Sequence, residues 1–102
     1  MVARVTHYRI RVGKVEEFTA TAASLVAAID KLNGFRGLFI LRGEEPGSRD
    51  VMGISVWDSD EEMKSSESNT YYYDVIARLM GCCESFSPMH KHEVLISKFG
   101  NL

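Results

Sequence analysis

The sequence predicts a single α+β domain in which two helices cover one face of a four-stranded antiparallel sheet. The hydrophobic period runs in the order β-α-β-β-α-β, switching between two residues and about 3.6. Turn residues stand at each switch. The chain has 102 residues, the length of one domain, so residues 1–102 are read as one unit.

Residues 2–11 alternate as a strand. Val2, Thr6, Tyr8 and Ile10 share one face, interrupted by Arg4, while Ala3, Val5, His7 and Arg9 share the other. Gly13 breaks the strand. From Lys14 to Leu32 a helical stripe follows, made by Val15, Phe18, Ala22, Leu25, Val26, Ile29 and Leu32. Asn33-Gly34 ends it, since both residues tolerate the left-handed backbone common at helix C-termini. A second strand spans Phe35 to Arg42, with Phe35, Gly37, Phe39 and Leu41 alternating against Arg36, Leu38, Ile40 and Arg42. The polar segment Gly43 to Arg49 is a hairpin connection. The third strand, Asp50 to Trp57, sets Val51, Gly53, Ser55 and Trp57 against Met52, Ile54 and Val56.

Ser59 and Glu62 fit a capping box, and the acidic run Asp58 to Glu62 suits the positive end of a helix. The small polar residues of Ser65 to Asn69 break that helix, which resumes from Thr70 to Met80 and stops at Gly81. Ser87-Pro88 is a turn, and His90 to Phe99 reads as the last strand.

This order is the ferredoxin-like one. No strand has a fully polar face, so the side of the sheet without helices also needs cover. A second copy of the same sheet supplies it most simply, which predicts a homodimer. Formal net charge is −2 with no basic cluster, which speaks against nucleic-acid or anionic-membrane partners. No apolar run reaches membrane-spanning length, and the opening MVARVTHYRI lacks a signal-peptide core, so a cytoplasmic protein is expected. Cys82 and Cys83 are neighbours; a bridge between them would be strained, and two reduced thiols are expected.

The residues Asn33 to Arg42 (NGFRGLFILR), the turn at Glu45-Pro46-Gly47, and Val51 to Glu62 (VMGISVWDSDEE) together resemble the antibiotic biosynthesis monooxygenase family. The resemblance covers nearly the whole chain in the same element order. It implies a dimeric α/β barrel with a ligand cavity in each subunit between sheet and helices. It also implies cofactor-independent oxygenation: a small aromatic, quinol or polyketide-like compound is deprotonated, and its carbanion passes an electron to O₂. No cofactor and no metal is expected. The family also contains haem-degrading members, which resemble one another in a first-strand Asn, a Trp ending the third strand and a His on the next helix. Trp57 matches. His7 stands at the first position, and Glu67 falls where the axial His would be, so the haem ligand is missing.

Two residues are candidates for catalysis. Trp57 ends a strand where a cavity would open, either filling space or contacting ligand. His7 could act as a general base near neutral pH, or be a satisfied polar residue. For substrate binding the candidates are Tyr72, Asn69 and Arg78 on the last helix. Tyr71, Tyr72 and Tyr73 cannot all face one way, so Tyr72 is expected inward and one neighbour at the cavity mouth or a dimer contact. His90 and His92 share a strand face and could reach a common metal, but no third ligand of the same parity is evident. The first rival to an oxygenase is a non-catalytic ligand-binding or stress-response dimer using the same cavity; the second, disfavoured by the missing helix His, is a haem-binding or haem-degrading protein.

Overall fold

The computed structural model describes residues 1–100. It contains β1 (Val2–Ile10), α1 (Val15–Ile29), β2 (Phe35–Arg42), β3 (Asp50–Trp57), α2 (Asp60–Ser65), a 3₁₀ turn (Ser66–Ser68), α3 (Thr70–Gly81), β4 (Cys83–Phe86) and β5 (His90–Glu93). All strands are antiparallel to their neighbours, in the order β2-β3-β1-β4 with β5 also on β1. Helices α1 and α3 pack together over one face. The α+β, ferredoxin-like arrangement is as expected, and no helix is long and apolar enough to cross a membrane.

The sheet has five strands where four were expected, because the last position is filled by two short pieces. β4 pairs with Tyr8–Ile10 and β5 with Val2–Val5, on the same edge of β1. Between them stands Pro88, which has no N–H to give a ladder. Ser87 bridges the gap, donating its N–H to His7 O at 2.8 Å and accepting the His7 N–H on Oγ at 3.0 Å. Nothing in Cys83 to Phe86 alternates clearly, since only Cys83 is buried. The expected strand to Phe99 stops at Glu93, because β1 ends there: Val94 N–H meets Met1 O, and no backbone of this sheet lies beyond.

Two side-chain assignments also change. A bulge between Phe35 and Gly37 switches the parity of β2. Phe35 faces Trp57, edge-on at 5.7 Å, but Leu38 and Ile40 then lie on the helix side while Phe39 and Leu41 face away. Val26, placed on the buried stripe, is exposed, and Ala28 is buried in its stead. Helix α1 also stops at Ile29 rather than Leu32.

The core joins Ile10, Phe18, Leu25, Ile29, Trp57, Val75 and Leu79 between sheet and helices. One end of the sheet is stitched by charge. Arg9 Nη1 lies 2.7 Å from Asp50 Oδ1, and Glu84 Oε1 receives Arg49 Nη1 at 3.0 Å and Arg9 Nε at 3.3 Å, which anchors β4. Half of the capping box forms: Ser59 Oγ accepts from Glu62 N–H at 3.2 Å, while the Glu62 carboxylate lies beside Gly34.

Gly34 and Gly13 both have left-handed backbone, with φ of +79° and +78°. A Cβ at Gly13 meets nothing within 4 Å, whereas one at Gly34 would land on the Glu62 carboxylate. Gly13→Ala should therefore cost about 1 kcal/mol from backbone strain alone, and Gly34→Ala roughly 2–3 kcal/mol. Urea unfolding of the two variants measures the difference; equal losses would show that the Glu62 contact is without consequence.

Candidate functional site

The helix face of the sheet is paved unevenly. At its centre Thr6 pairs with Gly53, and Ser55 lies beside them between Arg4 and Leu38. These small residues cannot fill the space up to the helices. A cavity of about 300 Å³ results, within the range of small-molecule sites. Its floor is Thr6, Gly53 and Ser55, and its walls are Tyr8, Phe18, Leu25, Ile29, Leu38, Ile40, Ile76, Leu79 and Met80. Arg4, Tyr72 and Glu67 close one end, and Tyr73 and Met89 also line it. The signal was present in the sequence as two small residues, Gly53 and Ser55, on an otherwise bulky buried face.

Arg4 is the site's central polar group, with 6% of its surface exposed. Nη1 donates to the Tyr72 hydroxyl at 3.1 Å, and Nη2 donates to Met63 O at 2.8 Å and to Ser66 Oγ at 3.4 Å. Glu67 Oε1 is 3.5 Å from Nη2, on a side chain 55% exposed. The guanidinium carbon also sits 5.8 Å from the centre of the Trp57 ring, close enough for a cation–π attraction. The sequence marked Arg4 only as an interruption in an apolar strand face; that interruption is a buried cation on the cavity lining.

Of the five residues singled out from sequence, Tyr72 alone lines this cavity. Trp57 is fully buried beneath it and donates its indole N–H to Ser55 Oγ at 2.9 Å, so it touches the cavity through Arg4 and Ser55. Asn69 caps α3: its Oδ1 accepts from Tyr72 N–H at 2.9 Å, fixing the helix start that presents Tyr72. Arg78 is exposed in the last turn of α3, where a cation suits the helix dipole. His7 lies on the opposite sheet face, exposed, across from Met52 and lining two shallow surface depressions. Tyr73 is the neighbour of Tyr72 that reaches the cavity lining, while Tyr71 is exposed.

Pairing β5 with β1 sets His92 beside Ala3 and His90 beside Val5, on the same outer face as His7. Among the described residues no three His, Cys, Asp or Glu side chains gather as a metal site. Cys82 and Cys83 are both buried free thiols.

Burial pushes the Tyr8 phenol up to about 12, helped by Tyr72 and opposed by a hydrogen bond with Thr6. Burial also raises Tyr72, with the Arg4 charge pulling the other way. Both phenols therefore enter the cavity as neutral donors at physiological pH.

The architecture is that of a small open-faced α+β domain with a ligand-sized cavity under its helices. The chain belongs to the antibiotic biosynthesis monooxygenase family, whose model matches residues 1–78. SnoaB of Streptomyces nogalater, a cofactor-independent oxygenase, superposes with a TM-score of 0.83 at 16% identity over 94% of each chain. A Chloroflexus aurantiacus protein placed among the antibiotic biosynthesis monooxygenases gives 0.76 at 20% identity, over 97% of this chain and 96% of that one. A conserved protein of Methanosarcina mazei gives 0.80 at 13% identity over 89% of each chain. No curated protein sequence matches the chain.

Burial also lifts the Cys83 thiol to about 11. For both Cys83 and Tyr8 the folded protein holds the proton longer than the unfolded chain, whose ordinary values are 9.0 and 10.0. Their contribution to stability is complete below those values and is lost as pH rises toward about 11 and 12. Unfolding free energy should thus fall from about pH 9 upward, and less steeply in Tyr8→Phe and Cys83→Ala. Urea titrations at stepped pH check this; parallel slopes in all three proteins would contradict it.

Proposed function

We propose that the chain is a cofactor-independent monooxygenase acting on a small aromatic or quinol-like compound in the helix-side cavity. The observation that carries this reading is a preformed, largely apolar cavity whose polar groups concentrate at one end, around Arg4 and Tyr72. Family membership and the likeness to SnoaB support it.

The chemistry balances without an outside reductant when the reacting carbon is a CH₂ beside an electron-rich ring. Loss of a proton gives a carbanion delocalised onto the oxygen of a conjugated ring carbonyl, which becomes a phenolate-like oxyanion. Electron transfer to O₂ and recombination give a peroxide anion at carbon, which takes the proton back. Loss of water then leaves a ketone, so that R₂CH₂ + O₂ becomes R₂C=O + H₂O. Arg4 and the neutral phenol of Tyr72 would stabilise the oxyanion, an interaction stronger in the charged state than in the neutral one. The apolar walls admit O₂ and keep water from the peroxide. Glu67 is the carboxylate on the cavity lining and is assigned the base role. Trp57 acts as a positioning residue by holding Arg4 and Ser55. His7, on the outer face, is left without a part in proton transfer.

The reading includes a homodimer. Met52, Ile54 and Val56 of β3, with Phe39 and Leu41 of β2 and Val5 of β1, form an apolar face that no helix of this chain covers. Ile54→Lys would bury a charge in that contact and should convert a dimer to a monomer in sedimentation experiments. A monomeric wild-type protein would count against the dimer.

Oxygen uptake with an anthrone, a CH₂ between two aromatic rings, tests the activity. One ketone should form per O₂ consumed. Tyr72→Phe should lower kcat/KM about tenfold, the loss of one hydrogen bond to a developing charge. Gly53→Val should abolish turnover, because its side chain enters the cavity between Tyr8 and Ile40. His7→Ala should leave the rate within about twofold. Saturable binding without oxygen uptake would replace the oxygenase with a sequestering protein.

A further inference from the structure

We propose that His90 and His92, neighbours on the outer face of β5, form a two-imidazole site for a divalent transition cation, with Cu(II) preferred over Zn(II). The site lies on the face of the sheet away from the helices and is independent of the cavity and its chemistry.

All four residues of β5 sit in a ladder with β1: His90 is beside Val5, Lys91 beside Arg4, His92 beside Ala3 and Glu93 beside Val2. Alternation along the strand then decides the faces. Arg4 points toward the helices, so Lys91 does too, and its ammonium reaches Asp60 Oδ1 on α2 at 3.3 Å. That contact fixes which way the strand faces. It leaves His90 and His92 together on the outer side, both exposed. Because β5 lies at the edge of the sheet, the pair stands at the rim of the apolar outer face rather than within it.

Side chains two apart on a strand are rooted about 6.6–6.8 Å from each other and lean along the strand. Two imidazoles inclined together close that span, since each contributes a ring and a metal–nitrogen bond of about 2.0–2.1 Å. The β1 residues directly beside them, Ala3 and Val5, are uncharged, and the charge of Lys91 is met on the other face by Asp60. A bound cation is therefore not opposed by its immediate neighbours. Imidazole nitrogens favour copper, nickel and zinc over magnesium and calcium, which take oxygen ligands. His7 shares the face but lies diagonally from His90, two residues along β1 from Val5, and among the described residues no third ligand joins the pair. Water would fill the remaining positions, which makes the site an open one.

Calorimetric titration of the untagged, chelator-treated protein with CuCl₂, ZnCl₂ and MgCl₂ near neutral pH tests the site, with electron paramagnetic resonance as a second readout for Cu(II). Binding should be tightest for Cu(II), weaker for Zn(II) and undetectable for Mg(II). Both histidines are exposed, so their substitution keeps the fold. His90→Gln and His92→Gln should each weaken Cu(II) binding at least about tenfold and remove one imidazole nitrogen from the resonance spectrum. His7→Gln should leave the affinity within about twofold. Equal Cu(II) affinity in the wild type and both β5 variants overturns the proposal, the ion then sitting elsewhere on the chain. So does a loss in His7→Gln as large as that in His92→Gln, which would move the site to β1. A protein that prefers Mg(II) refutes it as well. Oxygen uptake with the anthrone should be the same in His92→Gln as in wild type, so the cation site and the oxygenase reading stand or fall separately.

Discussion

A guanidinium inside a protein has to be surrounded by oxygen atoms, and much of this fold can be understood as the means of surrounding one. Arg4 stands on the central strand, on the face where apolar side chains otherwise pack. Its bonds reach the last residues of α2, the 3₁₀ turn and the first turn of α3. The linkage between the two helical segments is therefore more than a spacer. The helix must break between Ser65 and Asn69 so that Met63 O, Ser66 and Tyr72 can converge on a single side chain. Trp57 completes the enclosure from below, its ring beneath the cation and its N–H on Ser55. One charge thus fixes how the second half of the chain sits on the first.

The cavity has a complementary origin. Where Arg4 demands contacts, Thr6, Gly53 and Ser55 decline to make them, and the helices are held off the sheet by Tyr8, Phe18 and Ile40 around the edge. The edge-to-face contact of Tyr8 with Phe18, at 5.7 Å, is one of these props. Space in a core costs stability because its lining loses contacts. A fold that keeps such space between sheet and helices has given up packing at its own centre.

Most of the architecture was legible because it depends on periodicity. β1, β3 and both main helices announce themselves by which residues alternate or recur, and the capping box at Ser59 marks a helix start by local chemistry alone. What escaped the sequence was whatever depends on pairing rather than pattern. Cys83 to Phe86 is a strand because Glu84 is gripped by Arg9 of β1 and by Arg49 just before β3, and no four-residue window encodes that. The bulge after Phe35 reversed the faces of β2 without any glycine or proline signal beyond Gly37. The tail after Glu93 has a strand's alternation, but β1 runs out beneath it. For the site, Tyr72 could be placed from its helical phase. Arg4 could not, because a charge on an apolar face looks like an error of pattern until its partners from other elements are known. His7 shows the converse: its chemistry was suggestive, but its parity put it on the other side of the sheet.

The proline that splits the edge position into β4 and β5 also bears on how this protein behaves in a crowd. A sheet edge is a row of unpaired backbone groups, and a long flat one invites strands from other molecules to add to it. Here that edge is offered in two pieces of four residues, with Pro88 between them and Ser87 turned back toward His7. An incoming strand finds no uninterrupted run to copy, and charged Glu84 and Lys91 stand along it. The same interruption that hid the strand from a reading of the sequence makes this edge a poor template for fibrous aggregation.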